Sequence, residues 1–258
     1  MKLIATTLAS VCFSALAGAE EGKPRPDPKP SPDVLEVTPQ LYHYTTDLLF
    51  GEVWKRPDLI PRDRSLITLA ALLSSGQTAQ MTAHIKLALD NGVKPSEINA
   101  LITHLAFYSG WPNAMSAVGV AKQVFSERGL DPEQVTPPPS EPLKLDQESE
   151  AKRRAAVDGS VGVTAPALAR YTNDVLFGDL WRRTDLTPRD RSLITVAALI
   201  AQNQSAQLTF HLNRAMDNGL TREQAAEVVT HLAFYVGWPK AMSAVPVLKE
   251  VFASRSAG

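Results

Sequence analysis

The feature that most constrains this chain is an internal duplication: Leu59 to Val118 aligns without a gap on Leu186 to Val245, an offset of 127, with thirty-five of the sixty positions identical. A duplication of that length means two copies of one supersecondary unit with the same faces to bury, so one architecture has to serve both. At 258 residues and 44% hydrophobic, the chain has room for two such units, each with its own core. The longest identical runs are Pro61 to Thr68 with Pro188 to Thr195, and His104 to Tyr108 with His231 to Tyr235.

The punctuation inside each copy is helical. A first helix is expected from near Pro39 (Pro166) to about Gly51 (Gly178), with proline in the opening turn where its missing N–H costs nothing. A second opens in the second copy on Thr187-Pro188-Arg189-Asp190, which supplies an N-cap, a first-turn proline and an acidic residue. Ile60 replaces that cap in the first copy, and the run Leu66 to Leu73 is apolar enough to be buried on all sides. A third helix spans about Gln77 to Asp90 and ends at Asn91-Gly92. The fourth begins at Pro95, or after the Thr221 to Gln224 capping box, and runs to Tyr108 (Tyr235). Gly110-Trp111-Pro112 breaks the chain, and a fifth helix follows and ends before Gly129. No segment alternates with period two for long enough to argue a strand, so the expected fold is all-α.

The flanks divide the rest. Lys2, the apolar run Leu3 to Leu16 and Ala17-Gly18-Ala19 have the layout of a secretory signal, with cleavage expected after Ala19 and a periplasmic or secreted product free of the membrane. Cys12, the only cysteine, lies inside that segment; bulky Val11 before it argues against lipidation, and the processed chain would hold no thiol. The expected layout is signal 1–19, proline-rich leader 20–36, first copy 37–128, linker 129–163 and second copy 164–255, with a short exposed helix possible over Gln147 to Val157. Net charge is −1 with no basic block, which argues against a nucleic-acid partner.

Three groups of residues carry chemistry. Gln77, Gln80 and His84 fall at i, i+3 and i+7, and Gln204, Gln207 and His211 repeat the spacing, which puts three polar groups on one helix face. That face suits either a site or a hydrogen-bonded helix interface. His104 and Tyr108, repeated as His231 and Tyr235, are i and i+4 on an otherwise apolar helix, where packing competes with function. Arg62-Asp63-Arg64 and Arg189-Asp190-Arg191 open the second helices, where the arginines suit a substrate carboxylate or an aspartate across a domain interface. No nucleophile elbow, phosphate-binding glycine loop or paired-cysteine motif is present. A metal would need His84 and His104 to be joined by tertiary packing, and neither a metal nor a cofactor is expected.

Arg62 to Thr68, His84 with Asp90-Asn91-Gly92, and His104 to Tyr108 followed by Gly110-Trp111-Pro112 resemble the carboxymuconolactone decarboxylase family, in both copies. The resemblance implies two tandem helical domains and a homo-oligomer, a trimer of two-domain chains imitating the family's hexamers. Thiol peroxidases of the same superfamily carry two cysteines where Gln77 and Gln80 stand and a glutamate where Ser65 stands, so their mechanism has no nucleophile here. What the resemblance implies instead is a cofactor-free lyase, decarboxylase or isomerase acting on a small carboxylated, lactone-like molecule. His84 and His211 would transfer protons, Arg64 and Arg191 anchor a carboxylate, and Gln77, Gln80, Gln204 and Gln207 position substrate, with His104, Tyr108, His231 and Tyr235 as second choices. A non-catalytic binding or assembly module, and more remotely a peroxide-related protein without thiol chemistry, stay open as alternatives.

Overall fold

A computed structural model describes residues 28–138 and 140–256, so the expected signal segment and the first part of the leader lie outside the described residues. Among those described, every regular element is helical, and no helix is long and apolar enough to cross a membrane. The leader ends in a short helix, α1 (Pro32–Val37). The first copy comprises α2 (Pro39–His43), α3 (Pro61–Ser74), α4 (Thr78–Asp90), α5 (Pro95–Ser109) and α6 (Trp111–Glu127). The linker holds α7 (Pro132–Val135) and α8 (Gln147–Val157), which Asp146 caps by accepting from the Ser149 N–H at 2.8 Å. The second copy repeats the series as α9 (Pro166–Tyr171), α10 (Pro188–Ala201), α11 (Ser205–Asp217), α12 (Arg222–Val236) and α13 (Trp238–Ser256).

The first helix of each copy is shorter than expected. After α2 the chain widens into a π-helical turn, Tyr44–Phe50, and after α9 into Thr172–Phe177. Each turn closes on a glycine, because a Cβ at Gly51 or Gly178 would collide with the carbonyl of Asp47 or Asp174. The tight exit leads into short 3-10 turns, Val53–Lys55 and Leu180–Arg182, that bury Trp54 and Trp181. Caps follow the sequence closely. The Thr187 hydroxyl accepts from the Asp190 N–H at 3.0 Å, whereas Ile60 offers nothing in the first copy. Glu97 and Gln224 reach back to the Lys94 and Thr221 N–H groups. Gly110 and Gly237 end α5 and α12 at φ +87 and +88, a conformation that costs any side-chain-bearing residue.

The two copies share one core. α3 and α10, buried almost throughout, lie against each other at the centre, with α12 on α3 and α5 on α10. Leu66, Ile67, Leu69 and Leu73 are wholly enclosed, each contributing roughly 1.5–3 kcal/mol by leaving water. At the shared end of the central pair, Arg62 donates to Asp190 at 2.8 Å and Arg189 to Asp63 at 2.7 Å. These reciprocal pairs give the arginine-rich helix starts an interface role and tie the copies about a pseudo-twofold axis.

Candidate active site

Each copy supplies half of two sites. On α3, Arg64 and Thr68 are one turn apart and both face α12 of the other copy. Arg64 Nη1 lies 3.2 Å from His231 Nδ1. A guanidinium can only donate, so Nδ1 accepts and His231 carries its proton on Nε2, which donates to Thr68 Oγ1 at 2.8 Å. Arg64 Nη2 also donates to Glu227 at 2.8 Å and to the Arg56 carbonyl at 2.7 Å. The second site repeats the layer: Arg191 Nη1 is 3.3 Å from His104 Nδ1, and His104 Nε2 is 2.8 Å from Thr195. The carboxylate differs. Ala100 occupies the place of Glu227, and Asp185 takes Arg191 at 2.7 Å instead.

Outside this layer stands an aromatic wall. Trp54 Nε1 donates to the Tyr235 hydroxyl and Trp181 Nε1 to that of Tyr108, both at 2.8 Å. His84 stacks on Trp54, with centroids 6.2 Å apart, and meets Tyr235 edge-on at 5.3 Å. His211 does the same with Trp181 at 5.8 Å and Tyr108 at 5.2 Å. The Nδ1 atoms of His84 and His211 are buried with no hydrogen-bond partner among the described residues. A buried nitrogen without a partner costs free energy, so each such site has hydrogen-bonding capacity left for something else.

Burial sets the protonation states. It pulls His84 and His211 down to about 4, and His231, with Arg64 adding to the effect, to about 3. His104 falls well below its ordinary value through burial and then Arg191. The Tyr108 and Tyr235 phenols are pushed up by burial and stay protonated. At neutral pH each site therefore presents neutral imidazoles and a neutral phenol in apolar surroundings.

The residues singled out in the sequence divide accordingly. His84 joins Tyr235 and His231, and His211 joins Tyr108 and His104, always from opposite copies. His84 and His104 belong to different sites, so packing does not make them a metal pair, and no cluster of three or more potential metal ligands occurs among the described residues. Arg64 and Arg191 are wholly buried, with their Nη groups committed to protein acceptors, which closes them to a substrate carboxylate in this arrangement. Gln77 and Gln204 are exposed at the N-caps of α4 and α11, and Gln80 and Gln207 on their first turns, outside the histidines. Sequence reasoning passed over Trp54, Trp181, Thr68, Thr195 and Glu227. The first four are legible as twins at the same offset of 127, while Glu227 has no twin to give it away.

The fold and site together define a duplicated all-helical protein with two histidine–aromatic centres shared between its copies. The carboxymuconolactone decarboxylase family model matches residues 39–123 and again 166–250, and the chain belongs to that family. It is 37% identical over 93 residues to 4-carboxymuconolactone decarboxylase of Acinetobacter baylyi, a match covering 36% of this chain and 69% of the relative. To nitrosuccinic acid decarboxylase of Metarhizium robertsii it is 32% identical over 82 residues, 32% of this chain and 57% of that protein. Among solved structures, a protein assigned as a gamma-carboxymuconolactone decarboxylase subunit of Burkholderia xenovorans shares the fold. Its TM-score is 0.52 at 19% identity, covering 89% of this chain and 93% of that one.

Proposed function

We propose that this protein is an exported, cofactor-free lyase that removes a carboxylate from a small organic acid, with His84 and His211 as the proton-transfer groups. The observation that carries the proposal is the unpaired, buried Nδ1 of both histidines, each set against a protonated phenol from the opposite copy. In a decarboxylation the C–CO2 bond breaks, its electron pair passes into an adjacent carbonyl as an enolate, CO2 leaves and a proton adds to carbon. The buried imidazole suits the last step: with a pKa of about 4 it is a strong acid once protonated, and an anionic substrate nearby favours that protonation. Tyr235 and Tyr108 would hydrogen-bond the developing enolate oxygen in surroundings that exclude water.

Arg64 and Arg191 act in this scheme as positioning residues that fix the tautomers of His231 and His104, not as substrate anchors. Gln80 and Gln207, one turn before the histidines and exposed, would orient substrate or water at the rim, with Gln77 and Gln204 further out. The two decarboxylases to which the chain is similar, each named for a small organic acid, support the reaction class. Export is supported by the apolar run before Ala17-Gly18-Ala19.

A self-assembling homo-oligomer, a trimer of two-domain chains, is supported by exposed apolar ridges repeated in both copies: Trp111, Met115 and Val118 on α6, and Trp238, Met242 and Val245 on α13. The closed bonding of Arg64, His231, Thr68 and Glu227 favours an interface role for that inner layer.

The test is CO2 release from a panel of small carboxylic acids and carboxylated lactones. Replacing His84 and His211 together by Ala should abolish it while helicity and particle size hold. Activity persisting in the double variant, or no release by the wild-type chain from any member, would sink the proposal.

A further inference from the structure

The two sites are twins in most respects, and beyond the carboxylate that holds the buried arginine they part at a second position. Three residues after His84 on α4 stands Leu87, and three residues after His211 on α11 stands Arg214. The Arg214 guanidinium lies 4.3 Å from the centroid of Trp181, the indole on which His211 stacks, and 5.4 Å from that of Phe177. Its side chain is half-buried, its Nε is buried without an acceptor, and among the described residues it makes no hydrogen bond or ion pair. An arginine held against an indole face with a buried N–H unspent is unusual, because a buried donor without an acceptor is costly.

The neighbouring acids are already taken. Arg214 lines a cleft of about 330 Å3 between α8 and α11, together with Lys144, Glu150, Arg153, Asp217 and Phe210. Glu150 accepts from Arg153 at 2.5 Å, and Arg153 covers Phe177 at 4.2 Å. Asp217 accepts from Arg255 at 2.7 Å, and Asp146, also on the cleft wall, caps α8. That leaves Arg214, with exposed Lys144 further out, as the positive charge the cleft has to offer. On the His84 side the corresponding cleft has Leu87; of its two lysines, Lys86 is paired with Glu127 at 2.6 Å and Lys55 is likewise engaged, and Asp90 is paired with Arg128.

We infer that the two sites are inequivalent: the His211 site alone carries an anion receptor, Arg214 on the face of Trp181, which takes a carboxylate of a small organic diacid entering beneath α8. A guanidinium presents two parallel N–H donors to a carboxylate, and the low-dielectric wall strengthens the pair. The inference rests on the lyase reading only for what happens to the molecule afterwards, since binding is measured without turnover.

Equilibrium dialysis of the full chain with labelled adipate, and with adipamide as its uncharged counterpart, tests it. One equivalent of adipate per chain should bind and adipamide should not. Arg214→Leu should weaken binding by about tenfold or more, the scale of a lost charge-assisted pair. That variant gives the second copy the residue the first copy already carries, so the fold has a precedent for it. Should its helicity nonetheless fall, Arg214→Gln makes the same measurement. Two equivalents in the wild-type chain, no saturable binding, or unchanged affinity in a folded Arg214 variant would overturn the inference.

Discussion

The Trp54 indole donates its N–H to the Tyr235 hydroxyl at 2.8 Å, joining the 3-10 turn before α3 of one copy to α12 of the other. Trp181 and Tyr108 form the mirror contact at the same distance. Each bond fixes the phenol beside a histidine and at the same time ties the copies together, so the site and the interface are one structure.

Tyr235→Phe should therefore destabilise the protein by about 1–3 kcal/mol, because the buried Trp54 N–H loses its acceptor. Urea unfolding reads this directly. Trp54→Phe introduced alongside should cost less than the two single changes summed, since each alone already removes the same bond. Strict additivity would mean that the hydrogen bond contributes nothing measurable.

The carboxylates beneath Arg64 and Arg191 come from different places. Glu227 reaches Arg64 at 2.8 Å from the opposite copy, whereas Asp185 reaches Arg191 at 2.7 Å from six residues earlier in its own. Glu227→Ala should cost about 3–5 kcal/mol by leaving a buried guanidinium uncompensated, and should loosen the tautomer of His231 as well. Thermal unfolding checks the first effect. The second appears as a change in the His231 ring-nitrogen NMR shifts, which a merely global destabilisation would leave in place below the transition.

How the copies pair explains what could be read from the chain alone. Helix starts and stops are local, and Thr187, Gln224, Gly110 and Asp146 announce them where they occur. The row of Gln77, Gln80 and His84 shares a sequence spacing but not one environment. Gln77 sits at the non-helical N-cap, Gln80 on an uncovered first turn, and His84 on the turn that Trp54 and Tyr235 cover. Contacts across copies have no characteristic spacing, so nothing in the sequence joins His84 to Tyr235 instead of Tyr108. The twin-by-twin comparison also hides what differs, and Glu227 and Arg214 stand out only once Ala100 and Leu87 are seen in their places.

Stability should fall as the pH drops from about 6.5 towards 4. His84 and His211 have folded-state pKa values of about 4, and His231 of about 3, all lowered from 6.5 by burial. In that window the unfolded chain takes up protons that the folded chain refuses, so the stabilisation is complete above pH 6.5 and is lost on acidification. Each such group contributes a slope of up to about 1.4 kcal/mol per pH unit. Between pH 5 and 6.5 carboxylates hardly titrate, which isolates the histidines. Unfolding free energies measured there should vary less steeply in His84→Gln, and less again when His211→Gln is added. An unchanged slope would mean that these rings are solvated in the folded protein.

The exposed ridges make the last prediction. Trp111, Met115 and Val118 recur at i, i+4 and i+7 on α6, Phe107 lies edge-on to Trp111 at 5.0 Å, and α13 repeats the set with Trp238 and Phe234. Two apolar ridges of this kind on one chain match an assembly in which each subunit meets two neighbours, the closed-ring case. Such contacts typically bury about 800 Å2 per partner, with a large aromatic near the centre of each. Trp111→Glu together with Trp238→Glu should convert the proposed trimer to single chains in sedimentation velocity while circular dichroism stays helical. Because His84 and His211 lie inside the chain, between its own copies, the dissociated variant should keep its site geometry. Its CO2 release would then fall only if a neighbouring subunit closes the entrance.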